Sequence, residues 1–201
     1  MIIGREKEQR ELLELLDKEE SQFCAVYGRR RVGKTYLIRE TFNYQFCFQH
    51  TGIAKGTLRQ QLTAFRNSLV AAGMMKCAIP KTWIEAFEQL KQLIKNAPAG
   101  KKILFIDELP WMDTPKGNLI GALENFWNGW ATARREKDII LIVCGSATSW
   151  ISKKLLKDKG GLRGRLTNRI KLVPFTLSAS ANSLPKVPIL PLAEKTFWNF
   201  I

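Results

Sequence analysis

The sequence predicts a three-layer α/β domain, a parallel sheet covered by helices on both faces. Three observations predict it. Short, wholly apolar runs such as Ile103-Leu104-Phe105-Ile106 and Ile139-Ile140-Leu141-Ile142-Val143 have the character of strands buried on both sides. Between such runs, apolar residues recur at three- and four-residue spacing, the period of a helix with one buried face. The two kinds of segment alternate along the chain, and right-handed strand–helix–strand crossovers turn that alternation into a layered parallel sheet.

Each element has its own justification. Residues 5–18 read as a charged amphipathic helix with Leu12, Leu13, Leu15 and Leu16 on its apolar face. Phe23-Cys24-Ala25-Val26-Tyr27 is a short buried strand, followed by a Gly-rich turn and a helix over 34–41. Gln45-Phe46-Cys47-Phe48 reads as the second strand. Leu58, Leu62, Phe65 and Leu69 mark one helix face; Trp83, Phe87, Leu90 and Ile94 mark the next, which Asn96-Ala97-Pro98-Ala99-Gly100 ends. The strand 103–106 stops at two acids. Leu119, Leu123, Phe126 and Trp130 make a further helix, 139–143 a central strand, and 150–156 a helix. A basic segment then leads to a fifth strand, 170–173, stopped by Pro174. Residues 178–201 hold Pro185, Pro188 and Pro191, show no period and end in Phe197, Trp198, Phe200 and Ile201. The expected organisation is a core over 1–177 and an irregular tail over 178–201, whose apolar end is expected to promote self-association.

Composition excludes several classes. The 201 residues are 45% apolar and 25% charged, ordinary for a folded domain with its own core. No apolar run approaches the 18 or so residues of a membrane span, and charge from Arg5 onward rules out a secretory leader at this N-terminus. A cytoplasmic protein with no membrane partner is expected. Cys24, Cys47, Cys77 and Cys144 form no C-x-x-C pair, so free thiols in a reducing compartment fit better than a zinc site. His50, the single histidine, has no companion for a catalytic pair and reads as a surface or core residue. The net charge is +14, unevenly spread: residues 1–20 carry four basic and seven acidic groups, residues 151–173 eight basic and one acidic. That excess fits either a polyanion such as nucleic acid or an acidic segment elsewhere in a larger protein; no base-reading motif supports the nucleic-acid version.

Chemistry concentrates at two places. Gly28-Arg29-Arg30-Arg31-Val32-Gly33-Lys34-Thr35 matches G-x-x-x-x-G-K-[ST] in full and lies between a strand and a helix. Glycines let backbone N–H groups curl around a phosphate, and the helix directs its positive end at the same anion. Lys34 is placed to reach the β- and γ-phosphates of ATP, and Thr35 to ligate Mg²⁺. About 70 residues on, the strand into Asp107-Glu108 supplies the second half. Asp107 is expected to hold the metal with Thr35, and Glu108 to orient and deprotonate the attacking water. The strand end Cys144-Gly145-Ser146 offers a hydroxyl either to the γ-phosphate and water or as a helix cap, a role Ser149 fits equally. Arg163, Arg165 and Arg169 are either a solvated basic loop or the source of one arginine directed at the γ-phosphate.

Taken together, Ile3-Gly4-Arg5-Glu6-Lys7-Glu8, the phosphate-binding loop, Asp107-Glu108-Leu109-Pro110-Trp111, Cys144-Gly145-Ser146, Gly164-Arg165 and Pro174-Phe175 resemble the prokaryotic AAA+/STAND-type ATPases. The resemblance covers about residues 1–177. It implies ATP binding on a sheet of strand order 5-1-4-3-2, backbone around Ile2–Arg5, Ile3 included, beside adenine, Ser146 at the sensor position of the fourth strand, and Arg165 as a sensing arginine. Such proteins carry an acid shortly after the Pro-Phe-x-Leu element, where this chain has Ser178-Ala179-Ser180, and continue into a helical lid. The resemblance therefore implies a chain shortened after its ATPase core, with loose binding and slow turnover. The combined expectation is a nucleotide-driven switch that binds Mg-ATP and hydrolyses it to ADP and phosphate. The alternative is a module that holds nucleotide without hydrolysis or associates with DNA.

Overall fold

The computed structural model describes residues 4–156, 162 and 164–174. Five strands, β1 (Gln22–Gly28), β2 (Phe48–Thr51), β3 (Lys102–Asp107), β4 (Ile139–Gly145) and β5 (Asn168–Leu172), form one sheet in the order β2-β3-β4-β1-β5. All four pairings are parallel. Read from the β5 edge, this is the expected order 5-1-4-3-2.

The central strands split their side chains between two apolar layers, as a two-sided strand must. Ala25, Leu104, Ile106, Leu141 and Val143 face one layer; Cys24, Val26, Phe105, Ile142 and Cys144 face the other. Helices α1 (Glu6–Leu13) and α2 (Lys34–Thr41) cover the second face. Helices α3 (Leu58–Ala71), α4 (Trp83–Lys95) and α6 (Leu119–Phe126) cover the first, with Phe65, Trp83, Phe87 and Phe126 in a chain of ring contacts. Two short helices, α5 (Leu109–Met112) and α7 (Thr148–Ile151), follow β3 and β4 directly. Both therefore lie at the C-terminal ends of the strands.

Several boundaries differ from expectation, each for a physical reason. The second strand is Phe48–Thr51, not 45–48. Asn43 and Tyr44 adopt left-handed conformations that turn the chain, and Phe46 packs against Phe42 and Phe105 rather than entering the ladder. The shift matters, because Thr51 now pairs with Asp107. The first helix ends at Leu13, itself 41% exposed, and only turns continue to Leu15 and Leu16. The helix of Leu119 to Trp130 becomes π-helical over Trp127–Ala131, which buries Trp127 against Phe23. The helix expected over 150–156 begins at Thr148 and turns π-helical over Ser152–Leu156. The fifth strand is Asn168–Leu172, paired with β1 up to Gly28. The 178–201 tail lies outside the described residues.

Candidate functional site

The loop after β1 is shaped by close approach. Gly28 ends the strand at φ 154°, and a Cβ there would lie 2.1 Å from the Leu172 carbonyl oxygen, so only glycine fits beside β5. Gly33 is left-handed (φ 86°, ψ 19°) and caps α2, whose first turn carries no acidic residue to compete with an anion. Arg29, Arg30 and Arg31 are exposed around the loop, with Arg31 also left-handed at φ 64°. Val32 is half-buried. Lys34 is buried, 6% exposed, and its Nζ donates to Gly28 O at 3.1 Å and Arg29 O at 2.9 Å. The ammonium thus folds back into the concavity of its own loop.

Thr35 closes the gap to the neighbouring layer. Its Oγ1 donates to Asp107 Oδ2 at 2.7 Å, bridging α2 and the end of β3. Asp107 is buried, and its Oδ1 accepts the Glu108 N–H at 2.9 Å. The Cys144 thiol on β4 also bonds to this carboxylate; burial first, then the Asp107 charge, pushes that thiol well above its ordinary range. Glu108 is left-handed (φ 47°, ψ 45°) and caps α5, which directs its carboxylate across to β4. There Glu108 Oε2 accepts from Ser146 N at 3.2 Å and Ser146 Oγ at 3.1 Å. The helix-cap role considered for Ser146 and Ser149 is not realised: Ala147 occupies the N-cap of α7, with no side-chain cap.

The geometry brings Lys34, Thr35, Asp107, Glu108 and Ser146 together, on three loops at the C-terminal ends of β1, β3 and β4. Residues 28–33 complete the same loop, and the other expected residues are elsewhere. Arg165 is exposed in the turn before β5 and Arg169 on β5 itself. Ile3 and Arg163 lie outside the described residues. Arg5 Nη2 donates to Val173 O at 2.5 Å, which ties the start of α1 to the exit of β5 beside Pro174. One cavity of about 760 Å³ runs from Arg29–Val32 to Ser146 and Pro174. Another, of about 550 Å³, is lined by Arg30, Lys34, Thr35, Glu108 and Trp111. A third of similar size, about 780 Å³, opens near Phe46, Cys47 and Pro98, beside the start of β3 and away from all these side chains.

Sequence reading missed two features of the site. Arg30 has its guanidinium carbon 5.4 Å from the centroid of the Trp111 ring. Trp111 is anchored in turn: its carbonyl accepts Gln61 Nε2 at 2.9 Å, and Gln61, fully buried, also bonds both backbone groups of Ile53. The tryptophan after Asp107-Glu108-Leu109-Pro110 was a visible signal; nothing marked Gln61 on α3. His50 is a core residue, its Nδ1 2.9 Å from Ser68 Oγ and its pKa lowered to about 4 by burial.

Among the described residues no three His, Cys, Asp or Glu side chains cluster to hold a metal. The Thr35 hydroxyl and Asp107 carboxylate are nonetheless hard oxygen donors side by side. They suit Mg²⁺, which takes one or two protein oxygens and completes its shell with phosphate oxygens and water.

A family model described as an ATPase domain predominantly from Archaea matches residues 2–187. An uncharacterized protein of Methanocaldococcus jannaschii is 26% identical over 186 residues, 92% of this chain and 39% of that protein. Among solved structures, the Walker-type ATPase of Pyrococcus abyssi superposes with a TM-score of 0.62 at 20% identity, over 90% of this chain and 56% of that one. The ADP form of Aeropyrum pernix ORC2 does so with a TM-score of 0.56 at 16% identity, over 85% and 48%. At these identities the structures speak for the fold. The chain spans well under two thirds of the length of each. No helix among the described residues is long and apolar enough to cross a membrane.

Proposed function

This chain belongs to the family of ATPase domains found predominantly in Archaea, and from that membership we propose that residues 28–35, Asp107, Glu108 and Ser146 bind Mg-ATP and hydrolyse it. The observation that carries the proposal is the 2.7 Å bond between Thr35 and Asp107, which joins the phosphate-binding loop to the acid at the end of β3. Phosphate oxygens take the place of the Gly28 and Arg29 carbonyls at Lys34 Nζ, and free backbone N–H groups at the start of α2 face the same anion. Mg²⁺, when bound, supplies charge neutralisation across the phosphates, with Thr35 and Asp107 as its protein partners.

Glu108 is the general base. A water attacks the γ-phosphorus, its proton passes to the Glu108 carboxylate, and the bond to the bridging oxygen breaks so that ADP leaves with the electron pair. Ser146 orients that carboxylate through two donated bonds. We assign the backbone near Ile3 to the adenine end, in a core of 1–177 that acts as a nucleotide-driven switch of the AAA+/STAND type; Arg165, in the turn before β5, stands at the opposite end of the sheet from the phosphate loop and takes no part at this chain's own site. A second reading has a specific observation behind it. The paired bonds from Ser146 hold Glu108 in place, and if nucleotide does not release it the domain binds without hydrolysis. Calorimetric titration with ATP and ADP, with and without Mg²⁺, tests binding; phosphate release separates the two readings. A chain that binds neither nucleotide overturns both.

A further inference from the structure

The loop carries three arginines where its backbone, not its side chains, cradles phosphate. Only Arg30 has a fixed seat: its guanidinium lies over the Trp111 ring, 5.4 Å from the centroid. The seat is rigid. Trp111 is held through its carbonyl by buried Gln61, and α5 presses on Gly52, where an added Cβ would meet Glu108 O at 2.7 Å and Met112 Cγ at 2.9 Å. Arg30 itself is exposed, so it is free to leave. Arg30 and Trp111 also line the cavity shared by Lys34, Thr35 and Glu108. That cavity is lined by the loop lysine, the Thr35 hydroxyl and the Glu108 base, which marks it as the γ-phosphate end of the site. An arginine stacked on an indole keeps its charge while its fork stays available to an anion.

We propose that Arg30 is the cis-acting guanidinium for the terminal phosphate: it leaves the Trp111 face for the γ-phosphate oxygens when a triphosphate binds. This rests on the ATP reading of the site. Arg30 is thereby a catalytic residue, Trp111 a positioning residue, and the pair discriminates ATP from ADP, because only ATP offers the charge that draws the arginine off the ring. The domain would need no arginine from a second copy to stabilise charge in the transition state.

The test uses the full chain with Arg30→Ala, Arg30→Lys and Trp111→Phe, titrated with fluorescent analogues of ATP and ADP and assayed for phosphate release. Arg30→Ala should leave ADP affinity within about twofold, remove the preference for ATP, and lower turnover by roughly 10²–10³. Arg30→Lys should recover part of the ATP preference and little of the turnover, since an ammonium lacks the planar fork. Indole emission should change with ATP and not ADP in the parent, and that change should vanish in both Arg30→Ala and Trp111→Phe. Arg30→Ala with ADP binding intact and an unaltered ATP preference would overturn the assignment of Arg30 alone. A parent that binds neither nucleotide would overturn the reading beneath it.

Discussion

Lys34→Ala probes both the fold and the chemistry of the loop, and the structure separates the two effects. The lysine motif alone suggests that its removal leaves the nucleotide-free fold untouched. The structure revises that. Lys34 Nζ is buried and donates to two carbonyls, Gly28 O and Arg29 O, the first of them in a buried setting. Deleting the ammonium strands these acceptors, and an unsatisfied buried acceptor costs about 1–3 kcal/mol. Relief of the ammonium's own desolvation and water entry at the half-open Arg29 carbonyl offset part of this, leaving a net loss of about 1–2 kcal/mol. For a chain of this size each kcal/mol lowers Tm by about 2–4 °C. Binding should suffer more. Two hydrogen bonds to a charged donor, at about 1.5–3 kcal/mol each, correspond to a loss of roughly 10²–10⁴ in ATP affinity. Urea unfolding without nucleotide reads the first number and calorimetric titration the second. Lys34→Met, which keeps most of the stem, should reproduce both. Parent-like ATP affinity in Lys34→Ala would refute the phosphate assignment; unchanged unfolding would refute the stabilising role of the carbonyl contacts.

Glu108→Gln keeps an oxygen to accept from Ser146 while removing the base, so ATP should bind at parent affinity while phosphate release falls by orders of magnitude; equal release would place the base elsewhere. Asp107→Asn keeps an acceptor for Thr35 but loses the charge, so the gain in ATP affinity on adding Mg²⁺ should shrink, as a titration series in Mg²⁺ reads directly. His50 gives a pH signature. Its pKa is about 4 in the fold against 6.5 in the unfolded chain, so the unfolded state binds more protons between those values. Stability contributed by neutral His50 is present above about pH 6.5, falls as pH drops, and is lost fully below about pH 4, at most about 3 kcal/mol. His50→Gln should flatten the difference in unfolding free energy between pH 7 and pH 4.5; an identical pH slope would show that His50 is not responsible.

What the sequence disclosed follows from which interactions are local. The phosphate-binding loop is eight consecutive residues, and Asp107-Glu108 ends an unbroken apolar strand, so both were legible without knowing what lies beside them. The sheet order came from resemblance, since nothing in the periodicity says that β1 sits between β4 and β5. The start of the edge strand β2 is masked in the sequence because Phe46 is apolar for packing on Phe42 and Phe105, whereas the strand itself, Phe48-Gln49-His50-Thr51, alternates buried and exposed. Its register is fixed by β3, an element more than 50 residues away. The Glu108–Ser146 bonds, the Cys144 contact with Asp107 and the Gln61–Trp111 anchor depend on tertiary placement, and no spacing rule encodes them.

The contacts among the site residues have a common logic. Lys34 Nζ satisfies itself on loop carbonyls, Thr35 on Asp107, Glu108 on Ser146, and Arg30 on an indole face. Each group that would meet ATP, Mg²⁺ or water already holds a protein substitute of the matching kind: carbonyl oxygen for phosphate oxygen, hydroxyl for metal, serine donors for water, an electron-rich ring for an anion. Buried polar groups without partners destabilise a fold, so these contacts contribute to the stability of the site itself. They also set the terms of binding. On the function proposed above, nucleotide would replace these contacts, and its net affinity would be the difference between two sets of bonds. A triphosphate, with one phosphate more than a diphosphate, would replace more of the set. On that reading, discrimination between ATP and ADP would reside in Arg30, the loop residue proposed to face the terminal phosphate, more than in Lys34.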